Sequence, residues 1–126
     1  MRKPIVSPKG APPRGPYSPA MLAQGPMVFV SAQGPYHPQT GAVDTADFKA
    51  QCRQVFENIG AQLEEAGATW ADVVKVQIFI ADWADFAVMN EVYAEYVSEP
   101  YPARTTVRSQ IGDNRIVADA IAVLSQ

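Results

Sequence analysis

The segment 116–124, IVADAIAVL, constrains this chain more than any other stretch. Side chains alternate across a strand, so Ile116, Ala118, Ala120, Ala122 and Leu124 fall on one face. Val117, Ile121 and Val123 fall on the other. Both faces are apolar, so both must be covered. Two helices cover only one face of a small sheet. The other face needs a second sheet or another subunit, so an oligomer is expected from the pattern alone.

Two helices are what the rest of the chain supplies. Phe48, Cys52, Val55, Phe56, Ile59 and Leu63 recur at helical spacing. They predict a helix capped by Asp44 or Thr45 and running to about Ala66, with Gly67 as its stop. A second helix is predicted over 83–97, with Phe86, Met89, Tyr93 and Tyr96 inward, ended by Pro100 and Pro102. Strands are predicted around Ile5, over 27–32, 73–80 and 103–108, and over 116–124. The order β-β-α-β-α-β-β is that of an α+β class, read as one domain over 1–126.

Composition narrows the partners. The chain has 126 residues, 48% apolar and 18% charged, with a formal charge of −3. An acidic balance without a basic stripe argues against nucleic acid. A single cysteine, Cys52, excludes an intrachain disulfide, and a single histidine, His37, excludes a site built on two histidines. No apolar run is long enough to span a membrane. Prolines break the N-terminal stretch where a signal peptide needs a continuous apolar core. A soluble, cytoplasmic protein is expected. Residues 1–26 carry seven of the eleven prolines. Within them Gly15-Pro16-Tyr17-Ser18-Pro19 is stiff enough to present a ring, so pinning against the fold is expected.

No phosphate loop, Cys-x-x-Cys pair or histidine triad is present. One acid stands in an unusual place: Asp119 interrupts the apolar run of the final strand. Arg104, Thr106 and Arg108 share one face of the strand before it. If the two strands form an antiparallel hairpin through the loop 109–115, Arg104 lies near Asp119, within a couple of residues of register. Two readings then stand. The pair is a structural ion pair, or an arginine beside a carboxylate with a nearby hydroxyl binds a small carboxylic acid bidentately. Cys52 reads as core, His37 as an exposed turn residue, and Arg2, Lys3, Lys9 and Arg14 as a sparse solubilising arm.

Several segments together resemble the Rid family (RidA/YjgF) along nearly the whole chain. They are Gly15-Pro16-Tyr17, Val30-Ser31-Ala32-Gln33, His37-Pro38-Gln39-Thr40-Gly41 and Asp72-Val73-Val74-Lys75-Val76. The stretch from Asp82 to Tyr93, then Pro102-Ala103-Arg104 and Ala120-Ile121-Ala122-Val123, complete the match. The resemblance implies a chorismate-mutase-like fold and a homotrimer with clefts between subunits. It also implies hydrolysis of 2-imino acids or their enamines, of the 2-aminoacrylate type, to 2-oxo acids and ammonia, with no metal and no organic cofactor. Arg104 resembles the arginine that binds the substrate carboxylate, and Tyr17 the aromatic lining the cleft. Ser31 and the backbone of Ala32 match the strand that contacts the ligand. Asp119 stands where the deaminases carry a water-holding glutamate, and Thr106 where a cysteine is usual. The connection 98–101 is shorter than in those enzymes, which alters the cleft rim. The rival reading is a small-carboxylate-binding or chaperone-like trimer without turnover. Endoribonuclease or translation-inhibitor activity, reported in the family, fits the acidic balance least.

Overall fold

In a computed structural model that describes residues 1–125, helix α1 (Phe48–Glu65) begins one residue after Asp47. Asp47 Oδ2 accepts the Ala50 N–H at 2.9 Å, satisfying one of the open donors of the first turn. The cap is thus Asp47 rather than Asp44 or Thr45. Thr45 acts one step earlier, its Oγ1 accepting from the Asp47 N–H at 2.9 Å. Gly67 follows the helix with φ of +81°, a conformation that β-carbon-bearing residues resist. The predicted apolar face is the buried face: Cys52, Val55, Phe56, Ile59 and Leu63 are fully buried. Each large side chain among them contributes about 1.5–3 kcal/mol over exposure.

Helix α1 lies on a four-stranded sheet of β3 (Met27–Gln33), β4 (Val73–Ile80), β5 (Ala103–Arg108) and β6 (Ile116–Val123). Their spatial order is β3-β6-β4-β5. The shorter helix α2 (Phe86–Tyr93) connects β4 to β5, preceded by a 3₁₀ turn at Trp83–Asp85. It ends earlier than the predicted 97, and residues beyond it continue in turns. Two further strands, β1 (Arg2–Ile5) and β2 (Ala20–Ala23), pair antiparallel as a separate ribbon. β2 is an addition to the expected order. The architecture is α+β. No helix of the described residues is long and apolar enough to cross a membrane.

The expected hairpin between β5 and β6 does not form. β5 pairs with β4 in parallel, and β6 takes the other side of β4 in antiparallel. Parallel neighbours require a crossover, and α2 provides it. The loop 109–115 steps over the end of β4 instead of folding back. Two hydrogen bonds tie that step down: Ser109 N–H to Ile80 O at 2.9 Å, and Ala81 N–H to Arg115 O at 3.0 Å.

This topology fixes the faces. Val76, Ile78 and Ile80 of β4, with Ile116, Ala118, Ala120 and Ala122 of β6, are buried toward the helices. Lys75, Gln77, Phe79, Val117, Asp119 and Ile121 are on the opposite face. That face also carries Phe29, 69% exposed, and Val107. The apolar second face expected from the final strand is therefore real, and among the described residues Phe29 and Val107 stand exposed on it.

Candidate active site

The N-terminal segment is pinned where the sequence placed it. The Ser18 N–H donates to Pro102 O at 3.0 Å, and Ser18 Oγ donates to Tyr101 O. Ser18 itself is buried and forms a parallel bridge with Ala103. The bridge sets Tyr17 beside Arg104, whose Cζ lies 5.6 Å from the Tyr17 ring centroid.

Arg104 is held among aromatic rings. Its Cζ is 5.2 Å from the Tyr93 ring centroid and 5.8 Å from that of Phe86. Nη1 donates to Asn90 Oδ1 at 2.6 Å. Phe86, Asn90 and Tyr93 follow at i, i+4 and i+7, so one face of α2 presents all three. Among the described residues Arg104 makes no salt bridge; the two ion pairs are Arg53–Glu95 and Arg115–Asp85. Burial pulls its guanidinium below the ordinary value, opposed by Tyr93 and Tyr17, yet an arginine at neutral pH stays charged. A half-buried cation whose one side-chain hydrogen-bond partner is a neutral amide is matched to an incoming anion. Two buried hydroxyls share this side of the sheet. Tyr93 Oη and Thr106 Oγ1 have no hydrogen-bond partner, and burial pushes the Tyr93 phenol upward.

Asp119 is not part of this cluster. Arg104 aligns with Val76, whereas Asp119 aligns with Gln77, one residue along the same strand. A one-residue offset changes the face, so the expected Arg104–Asp119 neighbourhood is absent within one chain. The cause is β4, which lies between the two strands that a hairpin would have paired.

Asp119 belongs to a second cluster on the open face. Val30 pairs with Ala120 and Gln33 with Ala118, so Ser31 and Ala32 stand together opposite the single residue Asp119 in a β-bulge. Across β4 the row continues to Gln77 and Thr105. Lys75 Nζ donates to Thr105 Oγ1 at 2.9 Å. Burial raises the Asp119 carboxyl above the usual range, and the Lys75 charge opposes that rise.

The site candidates therefore divide. Arg104, Tyr17 and Thr106 lie on the helix side; Asp119, Ser31 and Ala32 lie on the open side. Asn90 and Lys75 had not been singled out. Asn90 had a readable signal, a polar residue on the otherwise apolar face of α2. Lys75 had the weaker one of a lone cation inside the apolar strand 73–80. Cys52 is fully buried, and burial pushes its thiol up to about 12, which suits core and not nucleophile. His37 Nδ1 accepts the Gln39 N–H at 3.1 Å within its turn. Arg2 is not a free solubilising charge, because its Nη2 donates to Val73 O and Pro100 O. Among the described residues no cluster of histidine, cysteine and acids stands ready for a metal.

Comparison with known proteins identifies the family. The profile of the family described as Endoribonuclease L-PSP matches residues 8–114. A RutC family protein of Pyrococcus abyssi is 49% identical over 108 residues, covering 85% of this chain and 84% of its own. The 3-aminoacrylate deaminase RutC of Acinetobacter baylyi is 42% identical over 109 residues, covering 86% of each chain. The crystal structure of Escherichia coli TdcF with bound serine superposes with a TM-score of 0.73 at 37% identity, over 98% of this chain and 99% of that one. The chain thus belongs to the Endoribonuclease L-PSP family, the Rid (RidA/YjgF) family that its sequence resembles.

Proposed function

We propose that the protein is a deaminase that hydrolyses 2-imino acids, or their enamine tautomers of the 2-aminoacrylate type, to 2-oxo acids and ammonia. One observation carries the reading: Arg104 is a half-buried guanidinium in an aromatic setting with no carboxylate partner among the described residues. A relative named a 3-aminoacrylate deaminase and a neighbour solved with bound serine support a small amino- or imino-acid ligand. The formal charge of −3 speaks against RNA despite the family's descriptive name.

Each half of the site has a task. Arg104 grips the substrate carboxylate through two parallel N–H donors, with Asn90 fixing the guanidinium from behind. Tyr17 closes one side. The imine carbon is already electrophilic, so the protein needs to orient it, place one water and move a proton. Asp119 accepts a proton from that water as its oxygen bonds to the carbon and the C=N electrons pass to nitrogen. The tetrahedral adduct takes that proton on nitrogen; its hydroxyl proton then passes through Asp119 to the same nitrogen as the C=O forms and the C–N bond breaks, releasing ammonia and the 2-oxo acid.

Because Arg104 and Asp119 leave opposite faces of one sheet, the site is built between copies of the chain. One copy supplies Arg104, Tyr17 and Thr106; its neighbour supplies Asp119, Ser31 and Ala32 on the face that needs covering. A homotrimer closes three such clefts with one repeated contact. The test is ammonia release from 2-aminoacrylate or 2-iminobutyrate generated in situ, alongside light scattering. The reading expects acceleration over buffer and a trimer mass. Carboxylate binding without acceleration identifies the non-catalytic binder instead, and a monomer at micromolar concentration overturns the shared cleft.

A further inference from the structure

Arg2 is the one residue of β1 that is not exposed, and its side chain is built into the body of the fold. Nη2 donates to Val73 O at 2.7 Å and to Pro100 O at 2.9 Å. Val73 is the fully buried first residue of β4, and Pro100 lies in the connection from α2 to β5. One guanidinium thus clamps a core strand to that connection. Burial pulls this guanidinium below its ordinary value, with Asp72 opposing, and Nε is buried without a hydrogen-bond partner among the described residues. A purely solubilising cation keeps its whole head in water; this one exchanges hydration for two carbonyls of fixed position.

The clamp closes a circuit around Tyr17. From Pro100 the chain runs through Tyr101 to Pro102. Tyr101 O accepts from Ser18 Oγ, and Pro102 O accepts the Ser18 N–H at 3.0 Å. From Ser18 the chain enters β2 at Ala20, and the ladder from Ala20–Ile5 to Ala23–Arg2 leads back to Arg2. The Met1 ammonium donates to Gln24 O at 2.8 Å and ties the open end of that ladder. Pro19, Pro100 and Pro102 stiffen the circuit. Tyr17 stands next to the Ser18 anchor, with Arg104 Cζ 5.6 Å from its ring centroid. Among the described residues, Ser18 and Arg2 make the hydrogen bonds that join residues 1–24 to 98–102. Loss of the Arg2 contact therefore leaves Ser18 as a single pivot.

We propose that Arg2 is a positioning residue for the carboxylate site: by holding Pro100 against β4 it fixes the connection on which Ser18 hangs, and so sets the Tyr17 ring on the Arg104 guanidinium. The proposal rests on the reading of Arg104 as the carboxylate anchor. Its consequence is a coupling between the ligand and the docking of the N-terminal strand. Such coupling is reciprocal, so a ligand held by Arg104 and Tyr17 tightens β1 by the same factor that Arg2 adds to ligand affinity.

Calorimetry with pyruvate on the whole chain tests this without needing turnover. Arg2→Gln removes the charge and the fork, and should weaken pyruvate binding about fivefold or more. Arg2→Lys keeps the charge but loses the planar fork, so it should recover only part of the affinity. Lys3→Gln makes the same charge change on the exposed neighbour and should bind like wild type. In a Tyr17→Ala background Arg2→Gln should cost little further, because the ring it positions is gone; a general loss of packing would cost the same in both backgrounds. Hydrogen exchange needs no variant: saturating pyruvate should slow the amides of residues 20–24 in wild type about threefold or more. Wild-type affinity in Arg2→Gln, an equal loss in Lys3→Gln, an equal cost in both backgrounds, or exchange unchanged by pyruvate each overturns the proposal alone. Absence of pyruvate binding by wild type overturns the Arg104 reading and the proposal with it.

Discussion

Arg104 and Asp119 leave the sheet on opposite faces, because Arg104 aligns with Val76 of β4 and Asp119 with its neighbour Gln77. A guanidinium and a carboxylate so placed cannot meet one small ligand from the same chain. If both act on one substrate, they come from two copies.

Complementation reads this directly. Arg104→Ala and Asp119→Asn are each expected to lose deaminase activity. Refolded together in equal amounts, they should regain roughly a quarter of the wild-type rate, since one interface in four then pairs an intact Arg104 with an intact neighbouring Asp119. Sites built within one chain would regain nothing. The measurement is ammonia release by the mixed assembly against the two separate variants.

The sequence carried the face pattern of this fold well and its strand neighbours poorly. Periodicity is local, so the alternation of 116–124 and the stripe from Phe48 to Leu63 were legible residue by residue. Strand adjacency is not local. The loop 109–115 reads equally as a hairpin connection or a step over one strand, and only the crossover through α2 decides between them. That single ambiguity moved Asp119 from beside Arg104 to the opposite face. β2 is not legible in the sequence because Ala20–Ala23 is only four residues long, has no β-branched residue and follows a proline. The stiff Gly-Pro-Tyr-Ser-Pro run was a better guide, since restricted φ angles predict order wherever the chain finds an anchor. Ser18 supplies that anchor.

Arg104→Ala should weaken 2-oxo acid binding about ten- to hundredfold, in line with about 1.5–3 kcal/mol for hydrogen bonds to a charged group. Arg104→Lys should recover only part of it, because an ammonium keeps the charge but loses the bidentate fork and the stacking on Tyr17 and Tyr93. Arg104→Met controls for packing. Calorimetry of the three variants checks the order; lysine binding as well as arginine would show that charge alone suffices.

Asn90→Ala removes the one side-chain hydrogen bond that orients Arg104. The guanidinium remains but is free to turn, so ligand affinity should fall several-fold without loss of the assembly. Asn90→Asp should do more harm, because a carboxylate at that position pairs with Arg104 and competes with the ligand. Binding by Asn90→Asp equal to wild type would contradict the view that Arg104 is kept unpaired for a ligand.

Core packing should respond strongly at Phe56. Its ring is fully buried and lies 5.5 Å from the Tyr96 centroid, 5.6 Å from Tyr93 and 6.0 Å from Trp70. Phe56→Ala is expected to cost about 3–5 kcal/mol, measured by urea unfolding. Because Tyr93 also borders Arg104, the same variant should loosen the carboxylate site. A loss of stability with unchanged ligand affinity would show that the aromatic cluster and the site are uncoupled.

Asp119 separates enzyme from binder, and its protonation gives a second readout. As the base that takes a proton from water, it should contribute about 10²–10⁴ in rate, so Asp119→Asn should lose that factor while 2-oxo acid binding persists. Asp119→Glu lengthens the reach by one methylene and should retain activity on 2-aminoacrylate. Burial holds the Asp119 carboxyl above its ordinary value, so the folded protein binds this proton more tightly than the unfolded chain. Wild-type stability therefore falls as pH climbs from the unfolded value, about 3.9, through the raised folded one. Asp119→Asn carries no such proton, so its stability relative to wild type should rise across that same window and level off above it. Urea midpoints for the two proteins at pH 3.5, 5 and 7 measure the difference. A constant difference at all three would mean that the carboxyl titrates alike in both states, and the desolvated base assigned to this position would not exist.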